Sequence, residues 1–74
     1  MTVVELVNII DTEGYDLDVV FHHINGNGEY VKPATFVTIR GGSVFNIPDK
    51  YVEKTVISFR MRGPHDITVR ILES

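Results

Sequence analysis

The sequence predicts an all-β domain: a small antiparallel sandwich or partly open barrel of five or six strands, with one short helical turn. Three observations predict it. First, Val, Ile and Thr number 11, 8 and 6 among 74 residues, against three Leu, two Met, one Ala and no Gln. β-Branched residues that fit a pleated surface therefore outweigh the straight-chain residues that suit a helix. Second, apolar residues alternate with polar ones over several short stretches. Third, Gly, Pro, Asn and Asp clusters interrupt those stretches at intervals of roughly ten residues.

Taken in order, Val3 to Ile10 reads as a strand apolar on both faces, with Val3, Val7 and Ile9 on one side and Val4, Leu6 and Ile10 on the other. Such a strand suits burial on two sides. Asp11 to Gly14 is a turn cluster. Tyr15 to Ile24 is a half-buried strand, with Tyr15, Leu17, Val19 and Phe21 inward and Asp16, Asp18 and His22 outward. Asn25-Gly26-Asn27-Gly28 is a hairpin tip, since Asn and Gly tolerate positive φ, and its composition suits a mobile contact loop. Pro33 cannot donate a ladder hydrogen bond and marks a strand boundary or edge.

Ala34 to Arg40 is a third strand, closed by a Gly41-Gly42 hairpin connection, and Ser43 to Ile47 a short fourth. Pro48 to Glu53 forms a helical turn, with Pro first and acids early. The remaining residues form a hairpin with Ile57, Phe59 and Met61 on its core face. Pairing Phe59 with Ile71 and Met61 with Val69 keeps apolar residues together. That register sets Arg60 opposite Arg70 and Arg62 opposite Thr68, and it demands an odd turn of three or five residues.

The chain reads as one domain, 1–74. A chain this short buries only ~60% of the surface that it exposes when unfolded. With no cysteine, disulfides and Cys-based metal sites are excluded. Association with a partner or a second copy is the remaining support. Val3, Val4, Leu6 and Val7 are the residues expected at that interface. The N-terminus has no basic segment before its apolar run, and the run is shorter than the ~20 residues that span a bilayer. An intracellular setting without a membrane is the expectation.

The residues argue against catalysis. His22 and His23 are adjacent on a strand and point to opposite faces, so they cannot share a metal ion, and His65 beside Asp66 is an incomplete ligand set. Ser43 follows Gly41-Gly42 but lacks a Gly-x-Ser-x-Gly elbow. Asp16 and Asp18 share a strand face, but a raised pKa needs a concavity that a chain of this size hardly offers. Gly26-x-Gly28 lacks the third glycine and following helix of a phosphate-binding turn. The expectation is a protein that is not an enzyme and uses no cofactor.

Charge is uneven. Up to Val37 there are six acids and one base; from Thr38 onward, six bases and four acids. In the expected register Arg60, Arg62 and Arg70 form one cationic patch. Opposed like charges on a sheet are destabilising, so Asp16 and Asp18, of the same chain or a neighbour, are the expected counter-charges. An oligonucleotide-binding small barrel is a third reading; nucleic acid is disfavoured as a partner because the arginine face lacks a Lys/Arg run, the pI is about 5.4 and Phe36 and Phe59 fall on the expected core faces.

The stretch Lys32 to Glu53, Lys-Pro-Ala-Thr-Phe-Val-Thr-Ile-Arg-Gly-Gly-Ser-Val-Phe-Asn-Ile-Pro-Asp-Lys-Tyr-Val-Glu, reads as strand, Gly-Gly turn, second strand ending Ile-Pro-Asp and a turn of helix. In this pattern it resembles small β-rich virion accessory proteins of tailed bacteriophages, of the capsid decoration or cement and head-completion types. The resemblance implies a non-catalytic structural protein that binds and stabilises assembled coat subunits, commonly as a homo-oligomer. It implies a virion location after assembly in the host cytoplasm. The alternative is a cellular β-sandwich or SH3-like adaptor that binds peptides along a strand edge.

Overall fold

The computed structural model describes residues 1–73. It consists of helix α1 (Val3–Ile9), strands β1 (Leu17–Ile24) and β2 (Tyr30–Ile39), two 3-10 turns (Arg40–Gly42 and Val44–Asn46), the single helical turn α2 (Asp49–Val52), and strands β3 (Val56–Gly63) and β4 (Asp66–Leu72). One four-stranded sheet of order β2-β1-β4-β3 stands where five or six antiparallel strands in a sandwich or barrel are expected. Two hairpins, β1–β2 and β3–β4, are antiparallel within themselves and meet along a parallel β1–β4 pair. The chain passes from edge strand β2 to edge strand β3 through the 3-10 turns and α2. Together with α1, that crossing segment covers one face of the sheet and leaves the other open.

The first correction concerns the N-terminus: Val3–Ile9 is a helix. Thr2 caps it, its Oγ1 accepting from the Glu5 amide while Glu5 Oε1 accepts from the Thr2 amide. This reciprocal capping box satisfies two otherwise orphaned amides, and the hydrogen bond from Thr2 lowers the Glu5 pKa. Val3, Leu6 and Val7, at i, i+3 and i+4, all point into the core, which is helical spacing. Packing of that stripe overrides the weak helix preference of Val and Ile. The segment is tied at its start by Val3 N–H to Lys54 O and Val56 N–H to Met1 O. Thr2→Ala is expected to cost about 1 kcal/mol, read as a lower urea midpoint with unchanged slope.

β1 carries the expected alternation, with Leu17, Val19 and Phe21 buried; Tyr15 falls before the strand and is exposed, its ring stacked on His65. The hairpin tip forms as expected but is closely bonded: Asn25 Oδ1 accepts from the Asn27 and Glu29 amides. Pro33 lies in the edge strand β2, beside a bulge between the Phe21–Thr35 and His23–Lys32 pairs, as a residue without an N–H requires.

Gly41-Gly42 is no hairpin connection, and Ser43–Ile47 is no strand. Both glycines have φ near +65° (65° and 63°), which folds the chain off β2, and a Cβ on Gly42 would collide with the buried Thr12 side chain. Ser43 Oγ then accepts from the Phe45 amide, and Asn46 Nδ2 donates to Arg40 O. These local side-chain bonds offer the backbone an alternative to a ladder.

The β3–β4 register differs by two residues from the expected one. Phe59 pairs with Val69, Met61 with Ile67, Arg60 with Thr68 and Ser58 with Arg70. The turn is the even pair Pro64-His65, and an extra residue, Arg62, bulges between Met61 and Gly63. The bulge restores the parity that an odd loop would have supplied, so apolar residues still share the core face.

The core runs through α1, β1, β4, Ile39, Ile47 and Tyr51. At its centre Phe21 stacks on Tyr51, with centroids 4.2 Å apart and planes at 10°.

Candidate functional site

Two surfaces are left unfinished by this packing. The first is the flank where the core face runs onto β3. Phe59 and Met61 lie beside Val69 and Ile67, which are buried, yet they remain 47% and 41% exposed. Ile57, at a second bulge, is similarly exposed. The helical layer covers β1 and β4 but stops short of this edge strand. β3 therefore presents apolar side chains and, beyond Val56, one unpaired backbone edge of the sheet.

The second is the open face, built from the residues that alternate with the core. Its register gives three rows across the sheet. One runs Phe36–Val20–Thr68–Arg60, the next contains His22, Arg70 and Ser58, and the third contains Thr38, Asp18 and Asp66. Tyr30 pairs with Ile24, beyond the second row, and its ring lies edge-on to His22 at 5.6 Å. An open groove of about 700 Å³ is lined by His22, Tyr30, the three arginines Arg60, Arg62 and Arg70 and, at its β3 edge, Phe59 and Met61. A neighbouring one of about 470 Å³ has Phe36, Arg62 and the two aspartates at its walls.

Arg60, Arg62 and Arg70 do line one cationic groove, but not in the expected pairing. Arg60 faces Thr68 and lies diagonal to Arg70, and Arg62 occupies the bulge. Among the described residues the ion pairs all converge on Glu73, and none involves an arginine. Asp16 lies before β1 and accepts from the Gly41 amide at 2.8 Å, so it braces the glycine turn. Asp18 accepts from Thr38 Oγ1 at 2.9 Å. The expected intrachain partners of the arginines are thus engaged elsewhere.

Of the residues expected to meet a partner near the N-terminus, Val3, Leu6 and Val7 are in the chain's own core and Val4 packs against it. Val3, Leu6 and Val7 are buried and have no free surface to offer, whereas Val4 is half-buried. Phe36 is the opposite case: read as a core residue, it is 78% exposed on the open face. Ile39 and Val37 pair with Leu17 and Val19, so two-residue periodicity from Ile39 turns Phe36 outward. That signal was present in the alternation of Thr35, Val37 and Ile39 with Ala34, Phe36 and Thr38.

His22 and His23 point to opposite faces, as adjacency on a strand dictates. His23 is buried between Glu73 Oε1 at 2.6 Å from Nδ1 and Thr35 Oγ1 at 2.8 Å from Nε2. Because a carboxylate only accepts, Nδ1 carries the proton. Among the described residues there is no group of three potential metal ligands and no helix long and apolar enough to cross a membrane. Compared with known proteins, the chain matches no family model, no curated protein and no solved structure.

Proposed function

We propose that the chain is a non-catalytic structural subunit that binds protein surfaces through the β3 flank. The observation that carries the reading is the row Ile57, Phe59 and Met61, left half-covered on the core side of an edge strand. Covering the rest of each large apolar side chain contributes about 1 kcal/mol, and the adjoining backbone edge can accept a further strand. The contact moves from the N-terminal segment, where the sequence places it, to the strand that the fold leaves bare. A second copy of the chain and a coat subunit are the two occupants, which makes the protein a homo-oligomer bound to a larger assembly.

The setting rests on the resemblance of Lys32–Glu53 to phage virion proteins. In it the protein decorates or cements a capsid, assembled in the host cytoplasm, with no cofactor and no membrane. That pattern comprises two strands, of which the second, Ser43–Ile47, holds instead a 3-10 turn at Val44–Asn46. The free backbone edge of β3 also favours the adaptor reading, in which an isolated extended peptide adds to the sheet.

Light scattering on the purified chain and on Phe59→Asp with Met61→Lys tests the proposal. The parent is expected to associate or to sediment with assembled shells, and the variant to remain monomeric and unbound at nearly unchanged thermal stability. A parent that stays monomeric and ignores assembled protein would overturn the structural reading. Capture of isolated extended peptides by that monomer would establish the adaptor.

A further inference from the structure

We infer that the open face of the sheet binds single-stranded nucleic acid, with Phe36 and Tyr30 as stacking surfaces and Arg60, Arg62 and Arg70 as phosphate ligands. This site lies on the open face of the sheet and meets the β3 flank at one edge, where Phe59 and Met61 also line the groove. Two chemistries occur on it together. The arginines are exposed and have no carboxylate within ion-pairing distance among the described residues. Phe36, at 78% exposure, and Tyr30 are large aromatics left in water beside them.

The spacing fits an extended strand. Phe36 stands on one edge strand and Arg60 on the other, in the same cross-sheet row through Val20 and Thr68. Three inter-strand spacings separate them, roughly 14 Å. The next row sets His22 beside Arg70, with the Tyr30 ring against His22. Bases have π-faces that stack on aromatic rings whatever the sequence, while guanidinium groups bind the phosphates that alternate with them. A duplex hides its base faces and could use only the cations. An acidic peptide would likewise leave Phe36 and Tyr30 idle, so the combination favours a single strand.

The net charge of −3 does not decide the matter, because binding follows the local field of the face. On this face three arginines stand against two carboxylates, Asp18 and Asp66. The aspartates lie together in the third row and place the nucleic-acid track along the first two.

The test is fluorescence anisotropy of a labelled oligothymidylate of about fifteen nucleotides, at low and rising salt, with a duplex and polyglutamate as competitors. The parent is expected to bind the single strand with an affinity that falls as salt rises. Phe36→Ala is expected to weaken binding about 5- to 150-fold. Arg60→Ala and Arg70→Ala are each expected to flatten the log–log salt slope by about 0.7. All three positions are exposed, so circular dichroism and melting should be unchanged. Ile57→Asp, on the β3 flank but outside the groove lining, should weaken the protein contact and leave oligonucleotide binding unchanged, which separates the two surfaces. No binding at low salt would overturn the inference. So would binding indifferent to Phe36→Ala, or competition by polyglutamate or duplex as effective as by the single strand; those results would assign the arginines to an acidic protein or to duplex phosphates.

Discussion

Phe21→Ala is expected to remove about 3–5 kcal/mol of stability, enough to leave a large fraction of the chain unfolded at 25 °C. A domain of this length has roughly 4–11 kcal/mol in all, so one side chain carries a major share. Phe21 is fully buried in β1, between Thr35 of β2 and Val69 of β4, under the ring of Tyr51. The floor of the resulting cavity would be a hydrogen-bonded sheet and its roof a helical turn. Neither collapses easily into the space, which sets the cost at the upper end. Urea unfolding should show the midpoint falling steeply. In heat, each kcal/mol corresponds to about 4–8 °C for a small domain. Phe21→Leu should cost far less, since it keeps most of the volume. A cost below about 1 kcal/mol for the alanine variant would mean that the β1–α2 stack does not organise the core.

What the sequence makes legible follows from the range of the interaction concerned. The alternation of Leu17, Val19 and Phe21, the Asn-Gly tip and Pro48 ahead of a helical turn are local signals, and each element forms where they place it. The helix at Val3–Ile9 was also signalled locally, by Thr2 and Glu5 in capping-box spacing and by Val3, Leu6 and Val7 on one stripe. β-Branched composition outweighs that signal when it is read alone, because composition averages over a whole segment and a cap acts at one end. The bulge at Arg62 has no local mark. Sequence parity requires that apolar residues of β3 and β4 share a face, but an odd loop and an even loop with a bulge satisfy parity equally. The register, and with it the separation of Arg60 from Arg70, is settled only by the Pro64-His65 turn and its bond from Asp18 N–H to His65 O. The parallel β1–β4 pairing is likewise a tertiary outcome. It decides that a single sheet forms, and therefore that a whole face, with Phe36 and three arginines on it, is left uncovered.

Removing the Glu73 carboxylate is expected to cost about 1.5–3 kcal/mol near neutral pH and to abolish one component of acid sensitivity. Glu73 follows β4, and its amide donates to Ile24 O at 2.7 Å. Its side chain joins His23 of β1 at 2.6 Å and Lys54, just before β3, at 3.0 Å, with Lys32 of β2 at 3.6 Å. One carboxylate thus fastens the ends of three other chain segments at the margin of the core. The hydrogen bond from His23 first, then that from Lys54, lowers its pKa from the ordinary 4.5 to about 2, against the opposing effect of burial. A depressed folded-state pKa stabilises the fold above the unfolded value and ceases to do so as pH falls through the folded one. The contribution is therefore fully present above about pH 4.5 and is lost progressively toward pH 2. Glu73→Gln keeps an oxygen for the His23 N–H but no charge for Lys54. Other carboxylates titrate in the same range, so the informative quantity is the difference in unfolding free energy between parent and Glu73→Gln. That difference should be largest at neutral pH and shrink between pH 4.5 and 2. Lys54→Met in the Glu73→Gln background should cost little more, since the two residues act on one bond. A difference that stays constant from pH 7 to pH 2 would show that Glu73 contributes packing alone, and that the clamp on the strand ends is not ionic.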